Sequence, residues 1–329
     1  MTSEKEYLFS SSFLRAGEGI GNPAVRTLRM LEASSAEQLY QTVAELFRIS
    51  LPAEEKLVFD AAFEDAVEKV RGAVPDFLVF YPLLYKYDCT NIKLAIKCTV
   101  QNLSYNDFYT CGTVPARQMQ DYLQKDVLPA LPPAMAAAAQ TARQEYSKTG
   151  EVRCIDLLLD RACFADMAEK AAAGGVPLIM QIVCMRADFA NILACLRIGA
   201  GGLSMEAARA LLSRAFVPGG QVALSVLLAE EGGLAGIDQM EMRLGDCFVK
   251  DAVRRAVSAA SLFEIEKIFD ESVLQACQSY RFKPFGPEVI VRYLLIREAE
   301  LTNGRIIAAR FGAGADTDKI RERLREVNV

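Results

Sequence analysis

Slid along itself by 100 residues, the chain partly reproduces its own pattern, and this repeat restricts its possible folds more than any other feature. Asp60 falls on Asp160, Asp88 on Asp188, and Asn91-Ile92 on Asn191-Ile192, with Lys97 on Arg197. Residues 60 to 97 give seven identities in 38 positions at this offset, against about two or three from average composition. A third copy follows: Asp270 lies 33 residues before Asn303, compared with 31 from Asp60 to Asn91 and from Asp160 to Asn191. Each asparagine stands three residues after an acid (Asp88, Asp188, Glu300) and six or seven before a basic residue (Lys97, Arg197, Arg310). Separations of three and four residues place side chains on one helix face. The repeat therefore predicts three similar helical lobes in a pseudo-threefold, cone-like body. In it, Asp60, Asp88, Asn91, Asp160, Asp188, Asn191, Asp270 and Asn303 tie neighbouring helices together. Units of this length are too long for TPR or HEAT stacking, whose repeats run roughly 34 to 47 residues.

The local periodicity is helical throughout, so the predicted fold class is all-α. In Cys154–Met167, apolar Ile155, Leu158, Leu159, Ala162 and Cys163 recur at three-and-four spacing between charged residues. Leu39, Val43, Leu46 and Phe47 do the same behind Ser34-Ser35-Ala36-Glu37, a serine cap with an acid just inside the helix. From Glu288 to Ile296 apolar residues go nearly all the way round, which predicts a buried helix. Glycine and proline cluster at Gly17–Pro23, Pro129–Pro133, Gly174–Pro177, Gly199–Gly202, Pro218–Gly220, Gly232–Gly236 and Pro284–Pro287, all suited to turns. None is long enough for a flexible linker. The expectation is one domain over 1–329 with internal lobes at about 1–128, 129–235 and 236–329.

Composition removes several functions. There is no histidine, which excludes Ser-His-Asp and Cys-His nucleophile pairs and any zinc site that needs imidazole. The 42 acids outnumber the 37 basic residues for a net charge of -5, with no Lys/Arg cluster of the kind that tracks nucleic-acid phosphates. A membrane span needs roughly 20 consecutive apolar residues. Ala73–Tyr85 is broken by Pro75, Asp76 and Pro82, and Pro177–Met185 stops at Arg186. Membrane association is expected to come through a partner. Nine scattered cysteines without a C-x-x-C pair read as buried thiols of a reducing compartment, with Cys89, Cys98, Cys163, Cys184, Cys195 and Cys247 in apolar helical stretches. No phosphate loop occurs, and Gly17-Glu18-Gly19-Ile20-Gly21 lacks the strand and glycine spacing of a dinucleotide site.

The third copy carries the most specific pattern. Phe282-Lys283-Pro284-Phe285-Gly286-Pro287-Glu288, followed by Arg292 through Ile307 with Arg297, Glu298, Glu300, Asn303 and Arg305, resembles the C-terminal motif of the V/A-type ATPase (ATP synthase) C-subunit family, which includes the eukaryotic V-ATPase d-subunit. Tyr85 to Leu94 is similar to that family's Tyr-Asp-x-x-Asn-Leu-Lys element, and Ile155 to Phe164 to its Leu-Asp-Arg-x-Tyr/Phe-Phe helix. Cys163, where an aromatic residue is commoner, and Gly304, where an apolar one is, depart from the pattern. Gly304 is expected to weaken or bend its helix.

The resemblance implies a funnel of three lobes that is a non-catalytic rotor part. It would grip the central shaft of a rotary ATPase, dock on the membrane proteolipid ring and transmit torque for proton or sodium transport. It implies no cofactor, metal, nucleic acid or small-molecule substrate, and a peripheral place on the cytoplasmic face. Arg292, Arg297, Glu298, Glu300 and Arg305 are the candidate partner-binding residues; internal pairing is the competing role, since an unpaired buried charge is costly. Two other functions fit the composition: a general helical scaffold, and a helical enzyme drawing carboxylates from Asp60, Asp88, Asp160, Asp188 and Glu300, with a divalent ion.

Overall fold

The computed structural model describes residues 4–18, 22–229, 233–313 and 316–327. In chain order its helices are α1 (Leu8–Glu18), α2 (Pro23–Leu31), α3 (Ala36–Phe47), α4 (Val58–Ala73), α5 (Tyr81–Gln101), α6 (Ala116–Lys125), α7 (Pro133–Thr149), α8 (Arg153–Gly174), α9 (Pro177–Gly199), α10 (Met205–Ala215), α11 (Ile237–Arg243), α12 (Lys250–Ala256), α13 (Leu262–Ala276), α14 (Pro287–Ala313) and α15 (Thr317–Arg323). Short 3-10 turns join several of them. Among the described residues the only β-type pairing is an isolated bridge between Leu228 and Leu234. The fold is all-α, as the periodicity predicts. Part of the Gly17–Pro23 turn, and the first residue of Gly232–Gly236, lie outside the described residues.

Two compact units divide the chain: Met1–Phe77 with Glu266–Val329, and Leu78–Ile265. In the first, α14 is the central helix, with α1, α2, α3 and α4 packed on it. Its sequence explains this position. Val289, Ile290, Val291, Tyr293, Leu294, Leu295 and Ile296 are all buried, so in this stretch only half-buried Arg292 reaches solvent. Gly304 sits on the same helix, where an added Cβ would come within 2.5 Å of Phe59 Cε1 and 3.3 Å of Met30 Sδ. The glycine expected to weaken α14 is instead what lets α4 and α2 approach its backbone. Helix α3 starts on Ser35, whose Oγ accepts from Gln38 N at 3.2 Å, while Gln38 Oε1 accepts from Ser34 N at 2.7 Å. Glu37 joins the cap as well: its own backbone N–H and the Ser35 hydroxyl hold its carboxyl below the usual range. Leu39, Val43 and Phe47 are buried and Leu46 half-buried.

In the second unit α8 lies against α7, α5 and α9, and α10 packs on α9. Ile155, Leu159, Ala162 and Cys163 are buried along α8, with Leu158 half-buried. The Pro129–Pro133 break ends at α7, whose first free N–H groups are satisfied from outside the helix: Ala134 N and Met135 N donate to Asp166 Oδ1 and Oδ2 of α8 at 2.9 and 2.8 Å. Helix α9 is long and apolar enough to cross a membrane by length and composition. Most of it is buried in its own unit, however, and it carries buried Asp188 and Asn191, which identify it as a core helix. Of the six cysteines expected in the interior, Cys89, Cys98, Cys163 and Cys195 are buried, while Cys184 and Cys247 are only half-buried.

Candidate functional site

The repeated asparagines occupy the same setting three times. Each lies inside a long helix (α5, α9 or α14), is at most 1% exposed, and holds the backbone of one later residue with both ends of its amide. Asn91 Nδ2 donates to Tyr109 O and its Oδ1 accepts from Tyr109 N, both at 2.9 Å. Asn191 grips Val217 in the same way at 2.9 and 2.8 Å, and Asn303 grips Arg325 at 2.9 and 2.8 Å. An asparagine side chain has one acceptor and one donor side, so it mimics the edge of a peptide strand and pins an extended segment across the helix. Buried backbone polar groups require such partners.

The acid one turn earlier differs between copies. Thr113 N and Val114 N donate to Asp88 at 3.0 Å each, and Thr113 Oγ1 donates to Oδ2 at 2.7 Å. Gln221 N and Val222 N donate to Asp188 at 3.0 and 2.8 Å. In both cases the preceding residue is glycine, because an added Cβ at Gly112 would lie 2.2 Å from Asp88 Oδ1, and at Gly220 2.0 Å from Asp188 Oδ1. Burial pushes both carboxyls above their usual range, and the N–H donors oppose this only in part. In α14 the acid is Glu300, which is fully buried. Its Oε1 accepts from Arg26 Nε of α2 at 2.6 Å, and its Oε2 from Arg297 Nη1 at 2.8 Å. The Arg297 guanidinium also lies over the rings of Phe47 and Tyr293, 5.3 and 5.2 Å from their centroids. Helix α2 is accordingly turned with Arg26 and Thr27 inward and Val25 and Leu28 outward.

The remaining repeat acids make ion pairs between helices. Asp60 of α4 meets Arg305 of α14 at 2.5 Å, and Asp160 of α8 meets Lys93 of α5. Arg305 and Lys93 each stand two residues after their asparagine, so these pairs are counterparts. The third copy departs: Asp270 pairs with Arg325 at 2.9 Å, and Leu193 stands where a basic residue would complete the series. Of the five charged candidates in α14, Arg297 and Glu300 are thus engaged inside their unit. Arg305 is exposed beside Asp60, and Arg292 and Glu298 are half-buried. Lys97 pairs with Asp156 at 2.7 Å, and Arg310 donates to the carbonyls of Leu31 and Ala33 at the end of α2. The acids proposed as an ion-binding set are therefore held singly, by backbone N–H groups or by basic side chains. Sequence reasoning missed Arg26, Gly112, Gly220 and Arg325; the recurrent Gly-x-Val in Gly112-Thr113-Val114 and Gly220-Gln221-Val222 was the available signal for two of them.

Over residues 55–323, which hold all three helix motifs, the sequence matches the ATP synthase (C/AC39) subunit family. The chain belongs to this family. The C-subunit of the A-type ATP synthase of Pyrococcus horikoshii is 26% identical over 286 residues, covering 82% of this chain and 74% of that protein. Proteins of the same name from Haloferax volcanii and Halorubrum lacusprofundi are each 24% identical, covering 80% of this chain and 77% of their own lengths. The resemblance to V/A-type ATPase C-subunits is thereby established, and with it an accessory role in an ATP synthase.

Proposed function

We propose that this protein is the connector of a V/A-type rotary ATPase, coupling the shaft of the ATPase head to the membrane proteolipid ring without an active site of its own. The observation that carries the reading is the Asn clamp found in three long helices, each fixing its downstream segment to its core. A part that transmits torque must resist deformation, and close-packed helices with pinned connections do so. Three lobes around a funnel, with the shaft in the cavity and the ring at the other end, fit the threefold recurrence of the clamp. The protein would sit peripherally on the cytoplasmic face, held by its partners, and take part in proton or sodium transport without binding nucleotide, metal or cofactor.

The acids considered for an enzymatic role each already hold a structural partner, which favours the mechanical reading. Within α14, exposed Arg305 and half-buried Glu298 are the proposed contacts to the shaft, with half-buried Arg292 a further candidate; Arg297 and Glu300 would act by holding the helix in place. Tagged chain isolated from detergent-solubilised membranes is expected to bring down shaft and proteolipid subunits. Recovery of neither would refute the connector role. Reversing charge at Glu298 and Arg305 together is expected to reduce shaft recovery while the helical circular-dichroism signal persists.

A further inference from the structure

Cys89 of α5 and Cys163 of α8 lie 74 residues apart in the chain, and the packing of these two helices brings them together. A helical side chain leans back over the turn that precedes it, so Cys163 covers the turn of Leu159 and Asp160. Cys89 reaches that same turn from α5: its Sγ stands 3.5 Å from Leu159 O and 4.0 Å from Asp160 Oδ1. The two thiols hydrogen-bond to each other, and Cys163 Sγ also meets Met167 Sδ at 3.9 Å. Both cysteines are buried, 3% and 4% exposed, but Cys89 lies just beneath the surface. The side chain of Asp160, which it touches, is 48% exposed, and that of Lys93, paired with Asp160, is 18% exposed. Burial pulls the Lys93 ammonium down, but Cys89 and Asp160 push it up further, so a cation is held beside the sulfur of Cys89. Cys163 has the opposite setting: Cys89 next to it, and burial, hold its thiol well above the usual value.

We propose that Cys89 and Cys163 form a peroxide-responsive thiol pair that closes into a disulfide and fastens α5 to α8. The oxidant is hydrogen peroxide, small and neutral enough to pass an ion pair at the surface. Cys89, with the Lys93 ammonium beside it, is the attacking sulfur. It bonds to one peroxide oxygen as the O–O bond breaks, giving a sulfenic acid, and the other oxygen leaves as water with the thiol proton. The Cys163 sulfur then attacks that of Cys89; the S–O bond breaks, and the hydroxyl leaves as a second water with the Cys163 proton. Two thiols are oxidised and one peroxide is reduced. Cys163 is also where this chain departs from the motif of its family, and an aromatic ring there would leave Cys89 without a resolving thiol. The bridge joins the first and second copies of the repeat inside one unit, so oxidant adds a covalent tie to packing that is otherwise non-covalent. This device goes beyond the connector role and does not rest on it.

The test is hydrogen peroxide treatment of the purified, fully reduced full-length chain, followed by alkylation of the remaining thiols and mass spectrometry of the unreduced digest. The expected product is a peptide containing Cys89 joined to one containing Cys163, lighter than the separate peptides by two hydrogens and released by dithiothreitol. The oxidised chain should unfold at a higher temperature than the reduced one, because the bridge closes a long loop in the unfolded state. Cys163→Ala should lose both the bridge and the rise in midpoint, and accumulate a sulfenic acid at Cys89 that dimedone captures. Lys93→Met should slow bridge formation severalfold, and Lys93→Arg should restore the rate by returning the cation. Recovery of Cys89 and Cys163 as alkylated thiols after peroxide, or a bridge between them that forms only in urea, overturns the inference. So does oxidation that stops at Met167 or joins Cys89 to a different cysteine. The wild-type digest decides the matter by itself if a substituted chain fails to fold.

Discussion

Helices α5 and α9 solve a problem one way, and α14 solves it another. All three use asparagine to pin a downstream segment. In α5 and α9 the acid one turn earlier is aspartate, which accepts two successive backbone N–H groups from the same downstream stretch. In α14 it is glutamate, which reaches Arg26 of the N-terminal segment and Arg297. One methylene separates the two acids, but their partners belong to different classes. Backbone dipoles spread over two peptide groups stabilise a short carboxylate, whereas guanidinium groups neutralise a longer one outright. The asparagine is thus the constant of the repeat, and the acid position is free for another task. In the third copy that task is to fasten α2 to α14.

The sharpest way to break this contrast is to remove Glu300. Glu300→Ala leaves Arg26 and Arg297 buried without their anion, and should cost about 3–5 kcal/mol in urea unfolding. Arg26→Ala combined with Glu300→Ala should cost well under the sum of the single changes, because the pair acts as a unit. Glu300→Asp tests reach directly. If it unfolds at the wild-type urea midpoint, the extra methylene is not what distinguishes α14.

Replacing the asparagines tests the constant part. Asn191→Ala and Asn303→Ala each strand one buried N–H and one buried C=O, and should each cost about 2–3 kcal/mol by the same measurement. Asn91→Ala should cost less, because its partner Tyr109 is half-buried and water can replace part of the clamp. Equal losses at Asn191 and Asn303 would mark the clamp as one device used in unlike surroundings.

The glycines sharpen the aspartate side. Gly112→Ala and Gly220→Ala push a methyl group onto the carboxylates of Asp88 and Asp188, and each is expected to cost about 1–3 kcal/mol by overpacking. The loss should appear as a lower thermal midpoint. Alanine at the exposed Gly72, whose added Cβ meets nothing within 4 Å, is the control and should leave the midpoint unchanged or slightly raised.

The features that were legible in the sequence share one trait: they are local or periodic. Helical spacing predicts the all-α class, and the acid-x-x-Asn interval places both side chains on one face before any partner is known. Partners across long sequence separations were not legible. Nothing near Asn303 marks Arg325 as its target, and nothing in Pro23–Leu31 marks Arg26 as a buried ion, because an arginine at this spacing reads as a solvated face. Gly304 misleads for the same reason. Its helix propensity is poor, but the deciding factor is the ring of Phe59, 245 residues earlier in the chain. The five charged candidates in α14 look alike in sequence, and burial alone separates Arg297 and Glu300 from Arg305.

The smallest effect concerns pH, and it bears on whether backbone N–H groups can hold a buried carboxylate as an anion. Burial raises Asp88 and Asp188 above the ordinary carboxyl value in the folded protein, with the N–H donors pulling the other way. A carboxyl whose folded value exceeds its unfolded value keeps its proton longer in the native state. Its contribution to stability is therefore fullest below the unfolded value and declines as pH rises through the folded one. Carbonyl-carbon NMR of the titrating side chains should place the midpoints of Asp88 and Asp188 above about 3.9, the unperturbed value. The difference in unfolding free energy between wild type and Asp188→Asn should shift against the wild type over the same interval, by less than about 1.4 kcal/mol for each pKa unit of displacement. A midpoint below the ordinary value would mean that the two N–H donors outweigh burial. The aspartate copies would then hold their charge as firmly as any ion pair, and the difference from α14 would reduce to which segment is being tied.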